Sequence, residues 1–253
     1  MRLVEVVDRR IAQLVSKIDH HSPEDIAVML QELCDAAVDL VPGAEHGAIT
    51  VIADQRLQTM AAVGKYAAVL DEVQRRHAQG PVWDAARERC LVLVEDLATD
   101  IRWPAYQREA LSGTSIRCQM ALPMLTDGHL LGVCSLYATQ PRAFDTAAAD
   151  CARVFNVHAA LAWNTLRRKG QVQAALASRD VIAQAKGLVM ERFNIDAEDA
   201  FALIKRLSQQ SNRPLVEIAR RLVHFHHPEG APRAEGQAVI RRSRESVREA
   251  TRC

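Results

Sequence analysis

Long uninterrupted apolar runs are absent from this chain of 253 residues. The longest candidates, such as Val92–Val94 and Met120–Leu125, have the length of a strand, whereas a membrane-spanning helix needs about 18–20 apolar residues. The amino-terminal segment interleaves acidic and basic residues, unlike a secretory signal or a transit peptide. These absences predict a cytoplasmic protein without a membrane segment.

Closely spaced cysteines are missing as well. No Cys-x-x-Cys motif and no Cys/His ligand spacing is present, so the sequence predicts reduced, mostly buried thiols rather than a zinc site. The six cysteines are Cys34, Cys90, Cys118, Cys134, Cys151 and Cys253. Three histidines lie close together at His224, His226 and His227, but their spacing does not place them on one helix face. We expect no metal and no cofactor.

Aromatic residues make up only 4% of the chain, which leaves few rings for stacking on nucleic-acid bases. The net charge is only +1, but it is unevenly distributed. Residues 1–164 carry 15 basic and 21 acidic groups, residues 165–227 carry 11 and 6, and residues 228–253 carry 6 and 4. An acidic front and a basic rear predict two modules with different partners, the rear one suited to phosphate contact. A merely solvated positive face is the alternative.

The front half begins with helical periodicity. Apolar residues at three- and four-residue steps predict an amphipathic helix over residues 3–18. Ser22 and Pro23 then read as the cap and the first-turn proline of a second helix, which Pro42 and Gly43 end.

The apolar period then changes to two, which is the spacing of strands. Asp127-Gly128 between two alternating runs is a strong hairpin signal, and a short turn at residues 54–56 joins an earlier pair. The predicted strands are Gly47–Ala53, Leu57–Val63, Leu91–Val94, Ile116–Leu125 and Leu130–Tyr137. The predicted helices between them are Ala67–His77, Val82–Arg89 and Trp103–Leu111. This order predicts an α+β fold, an antiparallel sheet with helices on one or both faces.

Several short motifs are spread along this half. They are Gly80-Pro81, Val92–Asp96, Arg102-Trp103-Pro104, Ala121-Leu122-Pro123, Asp127-Gly128, Leu131-Gly132 and Ala143-Phe144-Asp145. Together they resemble a GAF domain, in the subgroup found in actinobacterial regulators, over roughly residues 20–160. The resemblance implies a six-stranded antiparallel sheet that either holds a small molecule in a pocket or serves as a dimerisation scaffold. Some GAF domains hold haem through a histidine, but no spacing selects among His77, His129 and His158.

From Asp145 to about Phe193 the helical pattern is nearly unbroken. A step of seven residues meets mostly apolar side chains, which is typical of a helix that pairs with a copy of itself. The residues at this step are Val154, Leu161, Arg168, Ala175, Ile182 and Val189. The run Arg167–Gln171 interrupts the pattern, and Gly170 costs about 1 kcal/mol relative to alanine in a helix, so we predict a hinge there. A bent helix packed on the sheet is the alternative.

Two shorter helices follow. Asp196 is suited to cap the first, Ala197–Ser211, and Pro214 is suited to begin the second. Three helices joined by short loops predict a small bundle. The residues expected in its core include Met190, Phe201 and Leu207.

The residues of this bundle form a specific pattern. It consists of Ser178-Arg179, Ile182, residues 185–190 (AKGLVM), Ala200-Phe201, Leu203, Ser208, Ser211-Asn212, Leu215 and Ile218-Ala219. The pattern resembles an ANTAR domain over about residues 165–225. The resemblance implies a three-helix module that binds RNA, usually as a dimer at paired stem-loops, and so prevents transcription termination or alters translation. The whole chain resembles a GAF–ANTAR antitermination regulator.

The polar members of the pattern, with one glycine, are the candidate RNA-binding residues. Sequence-specific recognition of RNA targets unpaired loop bases and uses cations on phosphate. The candidates are Arg179, Lys186, Gly187, Ser211, Asn212 and Arg213. Gly187 would permit either a tight helix crossing or a close approach of RNA.

The helical period groups these candidates only in part. Arg179 and Lys186 are seven residues apart and share a helix face, whereas Arg192 lies on roughly the opposite side. Both cations could instead be merely solvated, and Asn212 could merely terminate its helix. Because few exposed aromatics are expected, base stacking would fall to arginine planes rather than to rings.

Two other functions remain open. A GAF fold also serves free methionine sulfoxide reductases, for which Cys90 and Cys118 are the candidate residues. Three-helix modules also enter the major groove of DNA. An RNA-binding module would be unexplained in the first case, so we expect no enzyme.

The sequence therefore predicts three parts. Residues 1–160 form a GAF-like sensor with N-terminal helices, residues 165–227 an ANTAR RNA-binding domain, and residues 228–253 a flexible tail. We expect a homodimer in which a ligand or partner of the first part acts through the long helix on the binding of stem-loops in nascent RNA.

Overall fold

A computed structural model describes residues 25–226 of the chain, and side chains up to residue 225. The predicted helix over residues 3–18, the cap at Ser22 and the tail over 228–253 lie outside this range. The chain divides into two compact units, the first ending at Gln171 and the second beginning at Val172. Each unit is described by itself.

The first unit is built on one antiparallel sheet. Its strands are β1 (His46–Ala53), β2 (Arg56–Val63), β3 (Val92–Val94), β4 (Cys118–Thr126) and β5 (His129–Ala138). They lie in the order β2-β1-β5-β4-β3, and every neighbouring pair is antiparallel. The helices are α1 (Ile26–Leu40), α2 (Ala67–His77), α3 (Pro81–Glu88), α4 (Pro104–Gly113) and the first part of α5 (Thr146–Phe193).

The sheet has five strands in the described part of the chain, not the six that the GAF resemblance implied. The chain between β2 and β4 is mostly helical and adds only the three-residue β3. Pro81 and Pro104 each stand in the first turn of a helix there, where the missing N–H of proline costs no hydrogen bond.

Both predicted hairpins are confirmed. Asp127 and Gly128 have φ values of 50° and 74°, and Asp54 and Gln55 have 49° and 60°. Two consecutive left-handed residues match the twist of the flanking strands. The first turn is one residue shorter than predicted, because Arg56 already pairs with Ala53.

Helices cover both faces of the sheet. Successive residues of β5 point to opposite sides: Leu136 packs in the core beneath α1 and α5, while Tyr137 packs in the core beneath α2, α3 and α4. Phe155 and Trp163 of α5 belong to the first of these cores.

The predicted interruption of the long helix is wrong. Helix α5 continues through residues 167–171 without a break, because a single glycine costs only about 1 kcal/mol in a helix. The boundary between the compact units nevertheless falls at Gln171.

The seven-residue step along α5 does not form one exposed strip. Val154 packs against the core of the first unit, and Val189 is buried in the core of the second. Leu161 is 52% exposed, and Val157, one helical turn earlier, is 56% exposed. The free apolar surface of the first unit on α5 therefore lies at Val157 and Leu161.

The second unit contains the rest of α5, α6 (Ala197–Ser211) and α7 (Leu215–His226). Among the described residues no helix, including the 48-residue α5, is long and apolar enough to cross a membrane.

Candidate nucleic-acid interface

A small core holds the three helical segments of the second unit together. Its buried residues are Ala185, Val189, Ala200, Ile204 and Ala219. Three of the five are alanines, so the helix backbones can approach each other closely. The candidate RNA-binding side chains do not belong to this core.

Backbone caps fix the turn between α5 and α6. The Asp196 carboxylate accepts hydrogen bonds from the backbone N–H groups of Glu198 and Asp199, each at 2.9 Å, as the sequence predicted. Asn194 is left-handed with φ 50°, and the N–H of Ile195 donates to the carbonyl of Met190. A left-handed residue followed by an N–H that bonds to the carbonyl five residues earlier is a Schellman motif, a common ending of α-helices.

Asn212 ends α6 in the same way. It has φ 49° and ψ 41°, and the N–H of Arg213 donates to the carbonyl of Ser208. The Ser208 hydroxyl donates to the carbonyl of Arg213, and the Ser211 hydroxyl donates to that of Leu207 at 2.6 Å. The helix-terminating role considered for Asn212 is therefore present, and its exposed side chain remains available.

Arg179 and Lys186 lie along α5 within the second unit. Seven residues turn a helix by 700°, so the two side chains point within about 20° of each other. Arg179 is exposed and Lys186 is half-buried. Within residues 25–226 neither cation forms an ion pair, so no carboxylate competes with a phosphate.

Gly187 stands in open space. A Cβ atom built on it would meet no atom within 4 Å, the helix's own backbone aside. A tight crossing with another helix of the described chain is thereby excluded. The room above Gly187 is open to an external molecule.

The structure brings only some of the six candidates together. Ser211, Asn212 and Arg213 share one turn at the end of α6. Arg179, Lys186 and Gly187 share α5, and no hydrogen bond of the described residues joins the two groups.

Two core assignments are wrong. Phe201 is 43% exposed and Leu207 is 39% exposed, whereas Met190 packs partly buried against the core. Phe201 is turned by 100° from the buried Ala200 around the helix axis, which carries its ring to the flank of α6.

The expectation of few exposed aromatics is also wrong for this unit. Phe193 is 58% exposed and Phe225 is 84% exposed, in addition to Phe201. Phe225 lines an open concavity of about 500 Å³ with Arg220, Arg221 and His224. Helical spacing could have identified this set, because at 100° per residue its four members lie within about 140° of one another, on the side of α7 away from the buried Ala219.

The first unit buries a cluster of hydrogen-bonded polar side chains. The Asp71 carboxylate accepts hydrogen bonds from Thr59 at 2.9 Å, from the Tyr137 hydroxyl at 3.1 Å, and from Thr50. Burial raises the pKa of Asp71, and the three hydroxyl donors oppose that shift. The Tyr106 hydroxyl donates to the Gln119 side chain at 2.6 Å in the same layer.

The two cysteines considered for a reductase do not share a site. Cys90 is exposed before β3, whereas Cys118 is buried on the sheet face beneath α1 and α5. Burial raises the pKa of the Cys118 thiol, and it raises that of Cys134 to about 12. Since the thiolate is the nucleophile, the raised pKa values disfavour the reactive form at these two core positions.

Metal-ligating side chains do not gather in the described chain. No group of three His, Cys, Asp or Glu residues within residues 25–226 is placed to hold an ion. His227 lies outside this range.

Two family models match the chain. A GAF domain model matches residues 23–164, and an ANTAR domain model matches residues 170–223. No curated protein matches it.

Solved structures resemble the first unit. The GAF domain of the phosphoenolpyruvate-protein phosphotransferase from Acinetobacter matches with a TM-score of 0.52 and 16% identity, covering 68% of this chain and 98% of that one. The corresponding GAF domain from Coxiella burnetii matches with 0.50 and 15%, covering 65% and 96%. A free methionine-R-sulfoxide reductase from Neisseria meningitidis, bound to its substrate, matches with 0.48 and 13%, covering 64% and 89%. Such identities show the fold alone.

The two models together define what kind of protein this is. An ANTAR domain supports an RNA-binding regulator of antitermination, and the preceding GAF domain supports a sensing role. This combination indicates a regulatory protein. The chain belongs to the GAF domain family and carries an ANTAR domain behind its GAF domain, the architecture of a GAF–ANTAR regulator.

Proposed function

We propose that this protein is a signal-responsive transcription antiterminator that binds paired stem-loops in nascent RNA as a homodimer. The observation that carries the proposal is the ANTAR match over residues 170–223 on a helical unit whose two candidate cations on α5 form no ion pair within residues 25–226. Arg179 and Lys186 share one face of α5, and Gly187 beside them is open to the outside.

The RNA face comprises Arg179, Lys186 and Gly187 on α5, with Ser211, Asn212 and Arg213 at the turn after α6. Lysine and arginine hold phosphates, while an asparagine side chain or an arginine fork hydrogen-bonds base edges. Loop bases are the targets because a paired A-form helix hides the major-groove edges of its bases in a deep, narrow groove, and unpaired bases expose their edges.

A dimer fits an RNA that carries two stem-loops. Each copy would grip one loop, and the second contact would gain from the effective concentration that the first provides. The exposed Val157 and Leu161 on α5 supply an apolar surface for the second copy in the first unit.

The sensing role falls to the GAF domain. We infer that a small molecule or a protein partner acts on this domain, and that the unbroken helix α5 carries the effect to the ANTAR domain. Proline at Lys169 would break that helix, because proline costs about 3 kcal/mol in a helix interior. The same change is the test of the relay once a signal is known.

In vitro selection tests the function directly. The full chain is incubated with a pool of RNAs that carry two hairpins with randomised loops, and retained RNAs are sequenced. We expect enrichment of defined loop sequences, weaker binding when one hairpin is deleted, and increased readthrough when the selected RNA precedes a terminator in a purified transcription assay.

Two outcomes would contradict the proposal. A pool that stays random after repeated rounds at low salt would remove RNA recognition from this protein. Equal or tighter binding to duplex DNA of matching sequence would make it a DNA-binding regulator instead.

A further inference from the structure

The outer face of the last helix, α7, carries an arginine–aromatic surface that the proposed RNA face does not include. It consists of Arg220, Arg221, His224 and Phe225, which line the concavity of about 500 Å³. The opposite face of α7 packs into the core through the buried Ala219. The four outer residues are therefore not needed to hold the bundle together.

The charge of this surface fits an anion. Within the described residues neither Arg220 nor Arg221 forms an ion pair. Glu217 lies one turn earlier on α7 and is the one acidic residue of that helix, yet it pairs with neither arginine. A phosphate could bind either guanidinium without displacing a carboxylate.

The ring of Phe225 fits an unstacked base. It is 84% exposed, and it stands beside planar guanidinium groups. Proteins that bind single-stranded nucleic acid combine this pair of features, aromatic faces for bases and arginines for the backbone.

A second copy of the chain fits the same surface poorly. A two-fold contact places the same patch of both copies together. Such a contact here would bring four arginines together with only the two Glu217 carboxylates nearby, so repulsion would oppose it.

We propose that Arg220, Arg221, His224 and Phe225 form a second RNA-contact surface, which binds a single-stranded segment next to the stem-loop. Phe225 stacks on one unpaired base, and Arg220 and Arg221 contact the phosphates that flank it. This inference rests on the proposed function and deepens it, since it adds an unpaired flanking nucleotide to the RNA that the protein recognises.

The test uses the full chain and the two-hairpin RNA selected on it, extended by its flanking single-stranded nucleotides. Phe225→Leu keeps an apolar side chain but removes the ring, and Phe225→Trp keeps a ring. We expect about tenfold weaker binding for Phe225→Leu, from the loss of one base stack, and wild-type binding for Phe225→Trp.

Arg221→Gln tests the phosphate contact. We expect the slope of log Kd against log salt to fall by about 0.7, the value of one phosphate on a single strand. Arg206→Gln, an exposed arginine on α6 outside this surface, is the matched control and keeps the wild-type slope. Trimming the flanking nucleotides from the RNA should abolish the difference between wild type and Phe225→Leu.

The failures are distinguishable. If the wild-type chain selects no RNA, the proposed function fails and this inference with it. If the wild type binds while Phe225→Leu and Arg221→Gln bind equally well, only the second surface is overturned. A change in oligomeric state of Phe225→Leu, measured by light scattering, with unchanged RNA affinity, would make the surface a protein interface and would also overturn it.

Discussion

Trp163 of α5 lies directly against Gly132 of β5. A Cβ atom added at Gly132 would stand 3.0 Å from the Trp163 ring and 2.7 Å from the backbone carbonyl oxygen of Thr50. The absence of a side chain at Gly132 therefore lets the long helix settle on the sheet.

Gly132→Ala should lower the free energy of unfolding by about 1–3 kcal/mol, the usual cost of overpacking a core. Urea unfolding followed by tryptophan fluorescence measures it. Gly113→Ala is the control, because a Cβ there meets no atom within 4 Å, and it should change stability by less than 1 kcal/mol or so. Equal stabilities of the two variants would show that the Trp163 ring and the Thr50 carbonyl move aside without cost.

Asp71→Asn should alter how stability depends on pH. Burial raises the pKa of Asp71 in the folded state above its ordinary value of 3.8. At a pH between the ordinary pKa and the raised pKa, the folded state therefore binds more protons than the unfolded state. Stability contributed by this group is fully present below the ordinary value and is lost as pH rises through the raised pKa. The wild type should therefore lose stability relative to the variant as pH rises from about 4.

Urea unfolding of both chains over a series of pH values measures this difference. A difference that grows in favour of the wild type with rising pH would mean that the hydrogen bonds from Thr50, Thr59 and Tyr137 outweigh the cost of burial.

Lys186→Ala and Arg179→Ala should each weaken binding to the selected RNA by about tenfold, as for one lost charge-assisted contact of about 1.4 kcal/mol. The salt slope should fall by about 0.7 for each, and helical circular dichroism should not change. Filter binding over a salt series provides the measurement. Arg192→Ala, on another side of α5, is the control, and a loss as large as that of Lys186→Ala would mean that only net charge matters.

Gly187→Ala separates stability from recognition. Because nothing lies near its Cβ position, alanine should stabilise the helix by about 0.5–1 kcal/mol. If RNA approaches the backbone closely there, affinity for the selected RNA should fall although the unit is more stable. Thermal unfolding with a parallel binding titration would show both effects. Undiminished affinity would leave Gly187 outside the RNA contact.

Leu161→Glu should shift the protein from dimer to monomer, because Leu161 is exposed on α5 and a charge in an apolar contact is costly. Light scattering after size exclusion measures the mass. Val69→Glu, at an exposed position on α2, is the control and should leave the mass unchanged. A wild-type mass for Leu161→Glu would place the dimer contact elsewhere.

Local signals in the sequence predicted most elements of the fold. Alternation gave the strands within a few residues, and Asp127-Gly128 marked its hairpin. The order β2-β1-β5-β4-β3 was not predicted, since it depends on pairing between strands far apart in the chain. The bulge between Ile49 and Thr50 depends on the same pairing.

The errors at the candidate site have a related cause. Gly170 does not interrupt α5, because one unfavourable residue does not end a helix that its neighbours favour. Phe201 and Leu207 share the apolar face of their helix with the buried Ala200 and Ile204, which predicts core positions, but a bundle of three short helices has too little interior to bury every residue of that face. The positions of Arg179 and Lys186 on a shared face, by contrast, follow from spacing alone.

The indole ring of Trp163, which packs on Gly132, lies in the first unit together with every other tryptophan, so the two halves of the protein can be followed by different optical signals. All three tryptophans and all three tyrosines precede Gln171, while the ANTAR unit contributes only phenylalanine rings. Indole emission therefore reports melting of the GAF domain alone, and far-ultraviolet ellipticity reports both halves. If the two probes report different unfolding transitions, the GAF domain and the ANTAR unit unfold in separate steps.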